Sequence, residues 1–378
     1  MVITEKMKSA ASERMAGSVR PLEERDIAQV ADLHARVFRK TNNASPPSLQ
    51  AHLSQIFLQH PWYTESLSSL VFQENGSKIV GCIGVMPRPM LFNGRRITAA
   101  ISHSFIVEPG SRSTLAALEL AKSFLSGPQD LSIAEGSNVS RRIWEKIGGS
   151  TSLLYSLCWT RPLRPSRYVL SFLRRRGLPA AFGWALRPFC QLADAVTPLI
   201  PQKPFRLLEP PVLGGELDAE TLRGSLSEFT KGRSLRPQYD QRSSSWLLET
   251  LAQKKGRGTF EKVVVRNSGQ ETVGWYLYYR NLGGIGEVVQ IGARDNHIDE
   301  VLDHLFYHAK RRGLVAVAGQ VDPAFFHALS KKDCLFHHDG GSWMLLHSRH
   351  PELLHAIHRG DAFLTRLEGE WWISFLLS

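Results

Sequence analysis

Phe105-Ile106-Val107-Glu108-Pro109-Gly110-Ser111-Arg112-Ser113-Thr114-Leu115-Ala116-Ala117-Leu118 passes from an apolar, strand-like run through a turn into a helix. The strand ends at Val107, Pro109 and Gly110 turn the chain, and helical spacing begins near Ser113. The first N–H groups of a helix have no partner within it, so the junction presents donors to an anion, and Arg112 adds a fixed positive charge. Small residues at Ser113, Ala116 and Ala117 allow a bulky phosphate group close to the backbone.

Working outward from this junction, the pattern upstream predicts a short strand at Val19-Arg20-Pro21 and a helix carrying Ile27, Val30, Ala31, Leu33, Val37 and Phe38 at three- and four-residue spacing. A second helix follows over Pro47 to Gln59. Strands are expected at Ser69–Gln73, Ile79–Met86 and Arg96–Val107, with the hairpin dipeptides Asn75-Gly76 and Asn93-Gly94 between them. Downstream come a helix (Ser113–Leu125), a strand (Leu131–Glu135), a helix (Val139–Ile147) stopped by Gly148-Gly149, and a last strand (Ser152–Thr160). A meander followed by helical crossovers makes a mixed α/β sheet, antiparallel in one half and parallel in the other.

The same order recurs about 180 residues later, from Leu217 to His347, with little identity between the halves. At 378 residues two domains are expected in any case. The division read from the sequence is a disordered polar tail (1–18), a first module (19–160), a basic proline-rich helical linker (161–212) and a second module (213–378). The four cysteines have no metal-ligand spacing and read as packed thiols. Neither a signal-like apolar core nor a long uncharged apolar run occurs, so the expectation is a cytoplasmic protein. Of the net charge of +11, the segment Arg161 to Arg206 holds eight arginines and Lys203 against Asp194 alone. With both modules nearly balanced, nucleic acid is not the expected partner.

The quoted stretch resembles the pyrophosphate loop of the GNAT acyltransferases, V-x-P-x-x-R-x-x-G-x-G/A, through Val107, Pro109, Arg112 and Ala117, while Leu115 stands where that pattern has its first glycine. Further on, Ala134-Glu135-Gly136-Ser137-Asn138 and the helix ending at Gly148-Gly149 resemble the end of the fifth strand of that family and the helix after it. The resemblance implies two acyl-CoA N-acyltransferase modules in tandem, with acetyl-CoA or another acyl-CoA as cosubstrate. Ile106, Val107, Arg112, Ser113, Thr114, Leu115, Ala116, Ala117 and Asn138 would then contact it. It also implies an acyl acceptor that is an amine or hydroxyl on a small molecule, glycan or peptide, attacking in the gap between the fourth and fifth strands. A backbone N–H near Val107 would polarise the thioester carbonyl. His103, Glu108 and Glu135 are the candidate bases. Trp144 stands where many members carry an acidic tyrosine, and an indole N–H is no acid.

The second half reads Gln290-Ile291-Gly292-Ala293-Arg294-Asp295-Asn296-His297 at the matching turn, without the proline or the glycine run and with an acid that repels phosphate. It is expected to be a degenerate module. His304 and His308, four apart, have no third ligand placed by sequence, and the late histidines read as solvent-facing. No metal is expected. Two readings of the arginine-rich linker stay open, a packed connector and a peripheral contact with an anionic membrane. For the whole chain, a catalytic transferase and a non-catalytic binding protein both stay open.

Overall fold

The computed structural model describes residues 17–38, 44–74, 77–110, 113–175, 177, 187–196, 207–254, 256–281, 284–338 and 342–374. The first half runs β1 (Gly17–Pro21), α1 (Ile27–Phe38), α2 (Pro47–Phe57), β2 (Leu70–Glu74), β3 (Lys78–Phe92), β4 (Arg95–Val107), α3 (Ser113–Leu125), β5 (Leu131–Gly136), α4 (Asn138–Lys146) and β6 (Ser150–Ser152). Next come β7 (Leu157–Pro162), α5 (Pro165–Arg175) and α6 (Arg187–Val196). The second half runs β8 (Leu213–Glu216), α7 (Ala219–Phe229), β9 (Leu235–Pro237), α8 (Gln241–Ala252), β10 (Thr259–Arg266), β11 (Thr272–Arg280), β12 (Ile285–Ala293), α9 (Ile298–Arg311), β13 (Ala316–Gln320), α10 (Phe326–Lys331), β14 (Leu335–His338), β15 (Trp343–Ser348), α11 (Pro351–His358) and α12 (Trp371–Ser374).

The hairpin expected at Asn93-Gly94 forms with both residues at positive φ (48° and 80°), the geometry whose twist matches that of the flanking strands. Asn75-Gly76 and most of the expected tail lie outside the described residues; β1 begins at Gly17. The linker holds two helices near the expected positions, but it begins inside β7.

Two sheets form. The first has the order β1-β2-β3-β4-β5-β15-β6, with β9 added beside β3; the second reads β14-β7-β13-β12-β11-β10-β8. Position for position they repeat one topology, yet within that shared order each has one strand exchanged from the other half: β15 lies between β5 and β6, and β7 between β13 and β14. The division expected at residue 160 therefore cuts a strand that belongs to the second sheet. The run read as one strand, 152–160, is two short strands broken by a tight turn at Leu154–Ser156. Its second piece leaves because Trp159 fits the second core: the indole lies against Gly319, donates to the Gln320 carbonyl at 3.0 Å and meets Phe306 edge-on. In return, Leu345 packs beneath α4, where Trp144 fills the hollow at Gly149.

The core lies in three places. One cluster fills the α3/α4 face of the first sheet and another the α9/α10 face of the second. The largest lies between the two sheets and draws on both halves, from Val30 and Leu53 through Leu226 and Leu247 to Trp372. Burying a large apolar side chain stabilises by about 1.5–3 kcal/mol. An interface of this size therefore makes the modules a single body.

Candidate functional site

Parallel pairing between β4 and β5 covers only Ala99–Ile101 against Leu131–Ile133, and the strands part beyond it. Just past that point β4 bulges: its register against β3 shifts between Cys82 and Gly84, and Ser104 takes φ 50°. The extra residue reverses the side-chain alternation, so Ala99, Ile101 and His103 face the shared core before the bulge and Ile106 faces it afterwards. A serine at positive φ costs about 1–3 kcal/mol and has to be held by its surroundings. Its N–H leaves the ladder and donates to Glu370 Oε1 at 2.9 Å.

Glu370 arrives on the C-terminal segment of the other half, which runs beside the gap. Gly369 lies against the Glu135 carboxylate so closely that a Cβ there would come within 2.0 Å of Oε1. Trp371 N–H donates to Glu135 Oε1 and Ser342 Oγ–H to Oε2, each at 3.3 Å. Burial pushes the Glu135 carboxyl above the ordinary carboxylate value, opposed by these donors and the nearby Arg366 charge. Glu135, Tyr155, Ser156, Ser342, Arg366 and Trp371 line a cavity of about 50 Å³. Cys158 and Arg366 also line a larger groove of about 940 Å³, walled by Tyr168 and Phe172 of α5 and by His337 of β14. The cavity and the groove share Cys158 and Arg366 as walls, and both halves contribute to each.

The expected residues separate. Glu135 stands at the gap. His103 is fully buried, tilted against Phe57 and set into the hollow at Gly84, and its Nδ1 faces Ser104 Oγ at 3.3 Å. Burial, with His60 and His52 nearby, pulls its pKa down to about 3, so near neutral pH it is an uncharged and very weak base. Glu108 sits at the outer end of β4 in ion pairs with Lys78 (2.8 Å) and Arg36 (3.3 Å), which gives it a structural part rather than that of a base. A polarising N–H is expected near Val107; the N–H that β4 frees from its ladder is that of Ser104, three residues earlier, where the strand bulges.

Around the helix start, Arg112 and the Ser113 side chain lie outside the described residues. Thr114 and Leu115 are exposed, Ala116 is buried, Ala117 is half-buried, and Ile106 is buried with Val107 half-buried at the strand end. Asn138 Oδ1 accepts from Trp343 Nε1 at 2.7 Å, so the exchanged strand already engages it. Trp144 is buried and spends its indole N–H on the Leu346 carbonyl at 3.0 Å. An acyl-CoA thioester meets a fitting frame here: an inward N–H at a strained bulge, a gap between parallel strands, and a 13-residue helix beginning at the turn.

In the second half, β12 and β13 also part after a short parallel pairing, but Leu364–Arg366 fills the space and leaves about 20 Å³. Arg366 Nη1 donates there to the Val288 carbonyl, and buried Gln290 bonds Trp275 and Thr365. His304 and His308 are not solvent-facing. They lie on the inner side of α9, bonded to the hydroxyls of Tyr276 and Tyr278. No metal-binding group of three occurs among the described residues, and no described helix is long and apolar enough to cross a membrane.

Sequence reasoning missed Ser104, Arg366, Gly369, Glu370 and Trp371. Nothing local marks them: Ser104 meets Glu370, and Glu135 meets Gly369 and Trp371, across more than 200 residues.

Residues 18–128 match the family described as an acetyltransferase (GNAT) domain. No curated protein matches the chain in sequence. Among solved structures, a probable N-acyltransferase from Enterococcus faecalis shares 11% identity over 87% of this chain and 72% of its own, with a TM-score of 0.56. A GCN5-related N-acetyltransferase from Anabaena variabilis shares 10% over 88% and 72%, with a TM-score of 0.57. Saccharomyces cerevisiae N-myristoyltransferase, solved with bound myristoyl-CoA and inhibitors, shares 12% over 88% and 80%, with a TM-score of 0.51. The fold is that of two GNAT-like modules in tandem, and the first carries the acetyltransferase domain match.

Proposed function

We propose that the chain is an acyl-CoA-dependent acyltransferase that works through its first module, with an amine as acceptor. The observation that carries this reading is the Ser104 N–H, freed from the ladder just past the point where β4 and β5 part, with Glu135 at the end of β5 bonded to the same C-terminal segment that Ser104 meets. A preorganised backbone donor stabilises the oxygen of a thioester carbonyl as negative charge develops on it. The neutral amine attacks the carbonyl carbon, the C–S bond breaks, and Glu135 takes the proton the amine gives up. Solvent protonates the departing thiolate, since Trp144 has no proton to give. Acetyl is the default acyl group. Calorimetry with acetyl-CoA tests the site, with Arg112→Ala as control. Micromolar binding that weakens at least tenfold in the variant is the expected result, and absence of binding to acetyl-CoA and to longer acyl-CoAs would overturn it.

One observation favours a second reading, a protein that binds without chemistry: a carboxylate oxygen of Glu370 already occupies the Ser104 donor. In the catalytic reading the thioester oxygen replaces it. Glu370→Ala then tightens acyl-CoA binding severalfold and leaves an active enzyme. Tighter binding with no thiol release across an amine screen would decide for the binding protein. Unchanged affinity would show that the Ser104 N–H does not meet the acyl group.

A further inference from the structure

Helices α5 and α6 pack against each other, and the hairpin is locked from inside. The Asp194 carboxylate, 3% exposed, accepts from the Ser166 N–H at 2.9 Å and from Arg167 Nε at 3.0 Å. Leu170 points inward, and Arg161 and Arg164 turn back onto the second half, bonding the Asp333, Leu314 and Lys310 carbonyls. Five large apolar side chains face outward. Val169, Phe172 and Leu173 are 54%, 45% and 44% exposed, and Phe189 and Leu192 are 70% and 65% exposed. Spacings of three and four place each set on one stripe of its helix.

These five are a third of the fifteen large apolar side chains exposed among the described residues, gathered on two short helices. Isolated exposed apolar residues are ordinary, whereas a gathered patch marks a surface that meets something. Charge identifies what it meets. Arg174 is exposed near the end of α5, the sequence from Arg161 to Arg206 holds nine basic residues, and its one acid, Asp194, is buried inside the hairpin. A second copy on this face would oppose arginine to arginine. An anionic bilayer supplies both an apolar layer for the stripe and phosphates for the arginines.

We propose that the α5–α6 hairpin is a docking surface for an anionic lipid bilayer. Phe172 belongs both to this face and to the wall of the groove that shares Cys158 and Arg366 with the cavity at Glu135. A docked α5 therefore brings the groove beside the lipid surface. On the acyltransferase reading, this makes an amine-bearing amphiphile the fitting class of acceptor.

The test is flotation of the full-length protein with phosphatidylcholine vesicles and with mixed phosphatidylcholine–phosphatidylglycerol vesicles. The protein is expected to float with the mixed vesicles and not with the neutral ones. Val169→Ser/Leu173→Ser and Phe189→Ser/Leu192→Ser should each weaken binding about tenfold or more. All four side chains are already exposed, so melting temperature and acyl-CoA affinity should not move. The acyl-CoA measurement keeps this test separate from that of the transferase site. Absence of flotation, or flotation that the serine variants leave intact, overturns the proposal. Concentration-dependent self-association of the parent, abolished by the same substitutions, would assign the face to a second copy and overturn it as well.

Discussion

Glu135→Gln lowers the rate of acyl transfer by about 10²–10⁴-fold, the range a positioned general base contributes, and leaves acyl-CoA affinity close to that of the parent. The carboxylate stands at the end of β5 where the strand leaves β4, and its hydrogen bonds from Trp371 N–H and Ser342 Oγ–H are long, 3.3 Å each. Such a group keeps basic capacity for an incoming amine. Burial raises its pKa, so the base is fully ionised only above the ordinary carboxylate range. The rate within the complex should climb with pH through that raised value and level off above it, and the glutamine variant should lack the climb. The same shift sets a sign for stability. A carboxyl whose folded pKa lies above its unfolded one binds its proton more tightly in the native state. Folding stability is therefore lost as pH rises from the unfolded value to the folded one. Glutamine removes that loss, so the variant should resist denaturant better than the parent at neutral pH while transferring acyl groups far more slowly. Thiol-release kinetics across pH and denaturation at pH 7 give both readings. Parent-like turnover would remove Glu135 from the chemistry.

Much of this arrangement was legible from local pattern. The strand–turn–helix at Val107–Ser113, the glycine hairpin at Asn93-Gly94 and the repeat of element order are set by neighbours in sequence, through spacing and turn chemistry. Glu135 was legible as well, because it ends a strand beside a resemblance. Its partners were not. Ser104 takes positive φ at a bulge that no glycine or asparagine announces, and the Glu370 that satisfies its N–H lies 266 residues downstream. The exchange of β7 and β15 was hidden for a similar reason. The apolar pattern marks strands at 152–160 and 335–347, and is silent on where they break and on which of two similar sheets receives each piece. Shape decides that, through Trp159 over Gly319 and Leu345 beneath α4. The outward stripe on α5 and α6 was ambiguous in sequence because a packed connector and a surface helix share one periodicity.

Arg88→Met destabilises the protein by about 3–5 kcal/mol, because it strands a buried carboxylate. Arg88 lies on β3 at 2% exposure, with its guanidinium 4.0 Å from the centre of the Trp62 ring. Nη2 donates to the Leu367 carbonyl at 2.8 Å and stands 3.8 Å from Glu368 Oε1. The carboxylate also takes the Tyr239 hydroxyl and, at Oε2, the hydroxyl and N–H of Thr365. Tyr239 follows β9, the strand from the second half that joins the first sheet beside β3, and Glu368 lies two residues before the residue that caps Ser104. One buried ion pair thus fastens the first sheet, the second half and the segment that enters the acyl gap. Burial raises the Glu368 carboxyl, and the Arg88 charge holds it down. Without Arg88 the shift grows, so stability in the variant falls more steeply as pH rises above the carboxylate range. The gap between variant and parent should be small near pH 5, where Glu368 can keep its proton, and largest near pH 8. Adding Glu368→Gln removes the stranded charge and should recover much of the loss, making the double variant more stable than Arg88→Met alone. Denaturant midpoints at the two pH values, for parent, single and double variants, measure each of these differences. Equal loss at both pH values with no recovery in the double variant would mean that Arg88 acts by packing against Trp62 and Tyr239, with its charge incidental.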